Sequence, residues 1–91
     1  MTFRLVPGTQ EADFLAADRA VQEDFAYHQP GLVRRTTARG ENGDWIVLDL
    51  WRSSADSDAC AVRWDADPVA RRFMDFIDRS TLRSSRWFPL D

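Results

Sequence analysis

Apolar residues recur along this chain in two rhythms, and the switches between them mark its elements. Leu32–Arg39 and Trp45–Trp51 are two strand-like runs with Asn42-Gly43 between them. That dipeptide is a strong signal for a type I′ hairpin turn, because both central residues must take positive φ. Upstream, Phe14, Ala17, Asp18, Val21 and Phe25 share one face at about 100° per residue, with Leu15 and His28 at its edges, which predicts a helix. Thr9 is placed to cap it, and Glu11 and Asp13 lie in the first turn, where the helix dipole favours anions. Pro30-Gly31 must end it, since proline disfavours helical geometry in the residue before it. Downstream, Ser53 or Ser54 can cap a second helix whose inward face is expected to be Ala55, Ala59 and Val62. Asp67-Pro68 reads as a fresh N-cap with proline at the first helical position, followed by an apolar stripe of Val69, Phe73, Phe76 and Ile77. Phe3–Val6 and Thr81–Phe88 supply a short strand at either end.

The order is therefore βαββαβ in a single domain, residues 1–91. Trp45–Trp51 is the most apolar run and belongs in the middle of a sheet. The runs around Arg34, Arg35 and Arg39 and around Arg83 and Arg86 carry the charges common on edge strands. With right-handed crossovers the simplest arrangement is an α+β, ferredoxin-like antiparallel sheet of order 4-1-3-2, with the helices on one face. A two-residue turn sets Leu32, Arg34, Thr36 and Ala38 on the side of Trp45, Val47, Asp49 and Trp51, and Ile46, Leu48 and Leu50 on the other. The aliphatic side suits the helices. The side bearing two tryptophans would then need a partner subunit as its cover.

Charge and composition remove several function classes. The chain has 15 acidic and 12 basic residues, and the basic ones are all arginine. A net charge of −3 gives no one-sided basic field, so nucleic acid is not an expected partner. No strictly apolar run is longer than that of Trp45–Leu48, which is far too short to span a membrane, and the first residues lack the apolar core of a signal peptide. The single cysteine, Cys60, leaves no internal disulfide and suits the reducing cytoplasm, the expected location. Asp56-Ser-Asp58 and Asp65-Ala-Asp67 resemble metal motifs, yet both fall where helix starts favour carboxylates. No metal site is expected, and without a glycine-rich phosphate loop no nucleotide cofactor either.

Four features could carry chemistry. Asp18 stands in an apolar stripe, so it is either paired with Arg35 or Arg39 on the sheet, or desolvated into a general base for a phenolic or enolic proton. Asp49, mid-strand on the tryptophan side, is read as a structural pair with Arg34 at the dimer interface, with catalysis as the alternative. His28 ends the first helix four residues after Asp24, a helix-end contact or a pocket acid or base. Trp51 and Trp64 are core or interface residues, or ligand-stacking ones.

The βαββαβ order, the third strand closing through Leu50-Trp51-Arg52-Ser53 into a helix, and the Asp67-Pro-Val-Ala-Arg-Arg-Phe73 restart together resemble the dimeric α+β barrel superfamily. The likeness is to its antibiotic biosynthesis monooxygenase-like branch, and it covers nearly the whole chain. It implies a homodimer in which each subunit holds a small apolar or aromatic ligand between helices and sheet. Phe14, Val21, Phe25, Trp64 and Phe73 are the expected lining, with Asp18 the candidate base. Members include cofactor-independent monooxygenases acting on aromatic or polyketide-like compounds, and non-catalytic binding or interaction modules of the same fold remain the alternative. Heme-degrading members use an Asn on the first strand and a His on the second helix. Here the first strand is Phe3-Arg4-Leu5-Val6, Phe73 stands near that His, and Cys60 or Trp64 lies in the region of their pocket Trp, so heme is not expected.

Overall fold

The computed structural model describes residues 1–90. Its elements are β1 (Thr2–Leu5), α1 (Glu11–Asp24), β2 (Leu32–Arg39), β3 (Asp44–Trp51), α2 (Ser54–Ala66), α3 (Pro68–Asp75) and β4 (Ile77–Arg83). The strands form one antiparallel sheet of order β2-β3-β1-β4, the expected order, compatible with a ferredoxin-like fold.

Helix α1 buries Phe14, Ala17, Asp18 and Val21, with Phe25 just beyond its end, the stripe the 3.6-residue period predicts. Its start differs. Gln10 is the N-cap, and the Thr9 hydroxyl donates to the Val6 carbonyl instead of capping the helix. Ser53 caps α2 by accepting from the Asp56 amide, and Asp67 caps α3 by accepting from the Val69 amide, with Pro68 in the first turn. On α2 the buried position is Cys60, with Trp64 one turn on packed against the core, whereas Val62 is 74 % exposed. The expected Ala55-Ala59-Val62 face is thus replaced by Cys60-Trp64. The helical chain breaks at Asp67 and restarts at Pro68 as α3, and α2 packs against α3 and β3 through its Cys60-Trp64 side. Strand β4 also begins earlier than expected, at Ile77, because that residue pairs with Leu5 in place of extending the α3 stripe. Trp87 and Phe88 fall beyond the strand and are exposed.

The hairpin produces the largest correction. Asn42 and Gly43 do take positive φ, 60° and 84°, and the Asp44 amide donates to the Glu41 carbonyl. The ladder, however, closes where the Gly40 amide donates to the Asp44 carbonyl at 2.7 Å, leaving Glu41–Gly43 as a three-residue loop. A one-residue change in register exchanges faces, because side chains alternate with period two. Arg35 therefore faces Asp49, Thr37 faces Val47, and Arg34 faces Leu50. The helices cover the face bearing Trp45, Val47, Asp49 and Trp51, not the aliphatic one. Val33, Leu48 and Leu50 are about half exposed on the open side.

Aromatic packing explains which face won. Trp45 lies edge-on to Phe14 at 4.9 Å, and Phe14 meets Phe3 and Phe73 at 5.8 and 5.4 Å. Phe14, Phe73 and Val21 are the largest fully buried side chains. Burying a ring of this size stabilises by roughly 2–3 kcal/mol, more than an aliphatic side chain left half in water would.

Candidate functional site

Strands β2 and β3 and helices α1 and α2 bring together a cleft lined in part by Val21, Phe25, Leu32, Trp51, Trp64 and Cys60, with Arg35 and Asp49 among its walls. Water can enter about 30 Å³ of it, and with its open mouth the empty space is about 250 Å³. Of the five residues expected to line a pocket, Val21, Phe25 and Trp64 do so. Phe14 and Phe73 are instead fully buried core.

The electrostatic centre is Arg35, whose side chain is 3 % exposed. Its Nη2 lies 2.8 Å from Asp18 Oδ1, its Nε lies 3.9 Å from Asp49 Oδ1, and its Cζ sits 5.5 Å from the centre of the Phe73 ring. Asp18 Oδ1 also accepts a 2.8 Å hydrogen bond from the Thr37 hydroxyl. Of the two environments open to Asp18 in the sequence, the structure shows the paired one, with Arg35; Arg39 pairs with Glu11 at the surface. Asp18 is not among the residues lining the cleft.

The expected Arg34–Asp49 pair does not form. The three-residue loop sends Arg34 to the open face opposite Leu50 and sets Arg35 opposite Asp49. Burial pushes the Asp49 carboxyl above its ordinary range, against the opposing pull of Arg35. At 3.9 Å that pull is too weak to offset desolvation, to which the nearby Asp18 charge adds. Burial likewise pushes the Cys60 thiol up, which keeps it protonated and unreactive near neutral pH. His28 is exposed at the end of a short 3₁₀ turn, its Nε2 2.9 Å from the Glu23 carbonyl, and lies outside the cleft walls. Among the described residues, no three His, Cys, Asp or Glu side chains converge as a metal site, and no helix is long and apolar enough to cross a membrane.

Sequence reasoning missed Arg35 and Asp49 as cleft residues. The signal for both was the parity of the hairpin loop, since an odd loop places Arg35 and Asp49 side by side. Cys60 was reached only through the resemblance, and it lines the cleft together with Trp64.

The raised Asp49 pKa has a measurable consequence. Between the unfolded value of 3.8 and the higher folded value, the folded chain holds more protons than the unfolded one, so stability falls as pH rises through that window. Asp49→Asn should remove this downward slope and leave the protein at least as stable as wild type at pH 7. Denaturant melts from pH 3.5 to 7 test it, and an unchanged slope would show that Asp49 titrates normally.

The chain matches no protein-family model, no curated protein and no solved structure.

Proposed function

We propose that this chain is a homodimer of the dimeric α+β barrel type, resembling the monooxygenase-like branch, that holds a small apolar or aromatic molecule between its helices and its sheet. The element order and sheet order support the fold type. The apolar open face, with Val33, Leu48 and Leu50, supports a second copy as its cover. The observation carrying the binding reading is the cleft itself, where Phe25, Trp51 and Trp64 wall a space next to a buried guanidinium. Binding ranks ahead of catalysis by Asp18 because Oδ1 of that carboxylate is held by both Arg35 and Thr37.

Asp49 favours a second reading, cofactor-independent oxidation of an aromatic compound. A carboxylate on the cleft wall with a raised pKa suits removal of a phenolic proton, which would prepare the ring for attack on dioxygen. Tryptophan fluorescence and oxygen uptake with hydroxylated naphthalenes, anthrones and single-ring phenols separate the readings. Saturable quenching without oxygen consumption supports the binding protein. Oxygen uptake lost in Asp49→Asn, with fold retained, establishes the second reading. Failure of every compound to bind refutes both and leaves a non-catalytic interaction module of this fold.

A further inference from the structure

Three of the four most exposed large apolar side chains among the described residues lie close together after β4: Trp87 at 82 %, Phe88 at 65 % and Leu90 at 97 %. An aromatic side chain buries roughly 150–250 Å² when covered, so this arm holds an apolar surface that a monomer rarely keeps in water. Its root is fixed. Arg86 Nη2 lies 2.7 Å from Asp58 Oδ1 on α2, and the Trp87 indole donates to the Ser85 hydroxyl at 3.0 Å. Pro89 locks its own φ and disfavours helical geometry at Phe88, so the arm is extended before it meets a partner and loses less freedom on docking.

Direction decides what the arm covers. Arg83 pairs with Thr2 and Thr2 with Ile46, so β4 runs parallel to β3 on the far side of β1. The chain therefore leaves the sheet beside the end that holds Leu48, Leu50 and Val33, the half-exposed apolar centre of the open face. Arg86 carries the root of the arm over to α2, on the covered side, which sets the sheet between the arm and its own open face. The face of a second copy is within reach, since residues 87–90 span up to about 13 Å and packed sheets lie about 10 Å apart. Area favours the same occupant. The apolar centres of two open faces, three half-exposed aliphatic side chains each, are too small for stable association on their own. Two arms add four rings, roughly 600 Å² at these exposures, and cover a similar area; together that reaches about 1,200 Å², the lower end of a stable interface. We infer that residues 87–90 of each copy cross to the other and lay Trp87 and Phe88 over Val33 and Leu50 of its open face, an exchange of arms about a two-fold axis. This rests on the homodimer reading above and names the segment that holds the two copies together.

The test keeps the chain whole. Trp87→Ser with Phe88→Ser should raise the dimer dissociation constant at least a hundredfold in analytical ultracentrifugation, the scale of lost hot-spot rings. The far-ultraviolet circular dichroism spectrum should stay unchanged, because both side chains are exposed in the single chain. Contact is read separately, with p-benzoylphenylalanine in place of Phe88 in an unlabelled copy mixed with isotope-labelled wild type and irradiated. Cross-links joining light to heavy peptides are contacts between copies, and they should fall on the heavy peptides that hold Val33 or Leu50. Dimerisation of the double variant at wild-type strength overturns the inference and leaves the homodimer reading standing. Cross-links confined to one copy, or made between copies only to the helices, do the same. A wild-type chain that stays monomeric at micromolar concentration ends both.

Discussion

Asp18→Asn should destabilise the fold by about 3 kcal/mol, the largest loss expected from any near-isosteric change in this chain. The reason lies with Arg35, not Asp18. Removing the carboxylate charge leaves a guanidinium with 3 % exposure lacking its nearest counter-ion, and Asp49 at 3.9 Å is too distant and too wet to replace it. Arg35→Met alone should cost a similar amount by stranding Asp18. The pair Asp18→Leu with Arg35→Met should cost far less than the sum, because buried ion pairs replaced together by apolar side chains are often neutral or stabilising. Denaturant titration of the four proteins measures the coupling. A single-mutant loss below about 1 kcal/mol would show that Arg35 finds another counter-charge, most simply by Asp49 moving inward.

Leu48→Arg is expected to abolish self-association at micromolar concentration. Leu48 is 54 % exposed in the centre of the open sheet face, between Thr36 on β2 and the β1 side of the sheet, so a dimer built on that face must desolvate it. A charge placed there should weaken the complex at least a hundredfold, about 2.7 kcal/mol, the scale of an interface hot spot. Light scattering reads it directly: wild type at twice 10.5 kDa, and the variant at 10.5 kDa with an unchanged circular dichroism spectrum. A wild-type monomer would remove the barrel assembly. A dimer that survives Leu48→Arg would place the interface on another surface. Trp51 is a poor probe of the same question, since it lines the cleft beneath the helices.

The parts of this fold legible in the sequence are those where one local rule suffices. The α1 stripe follows from 3.6-residue spacing, and the α3 start follows from Asp67-Pro68, where cap chemistry and proline agree. The facing of β3 was not legible, because both of its faces are apolar, Trp45-Val47 on one and Ile46-Leu48-Leu50 on the other. Alternation then fixes two faces without saying which is inside. What decides is tertiary: the fit of Trp45 against Phe14 and of Arg35 against Asp18. The candidate site was half visible for the same reason. Asp18 announced itself as a charge in an apolar stripe with Arg35 as a possible partner, whereas the neighbours Arg35 and Asp49 depend on a loop length that Asn42-Gly43 does not specify.

That loop ties the length of a surface turn to the charge balance of the interior. A single-residue insertion or deletion between Gly40 and Asp44 must be absorbed by a bulge. Otherwise it rotates Arg35 out to the open face and leaves Asp18 inside without its cation. As this sequence drifts, the turn can therefore lengthen or shorten readily by two residues but not by one, although nothing in the turn itself touches the site.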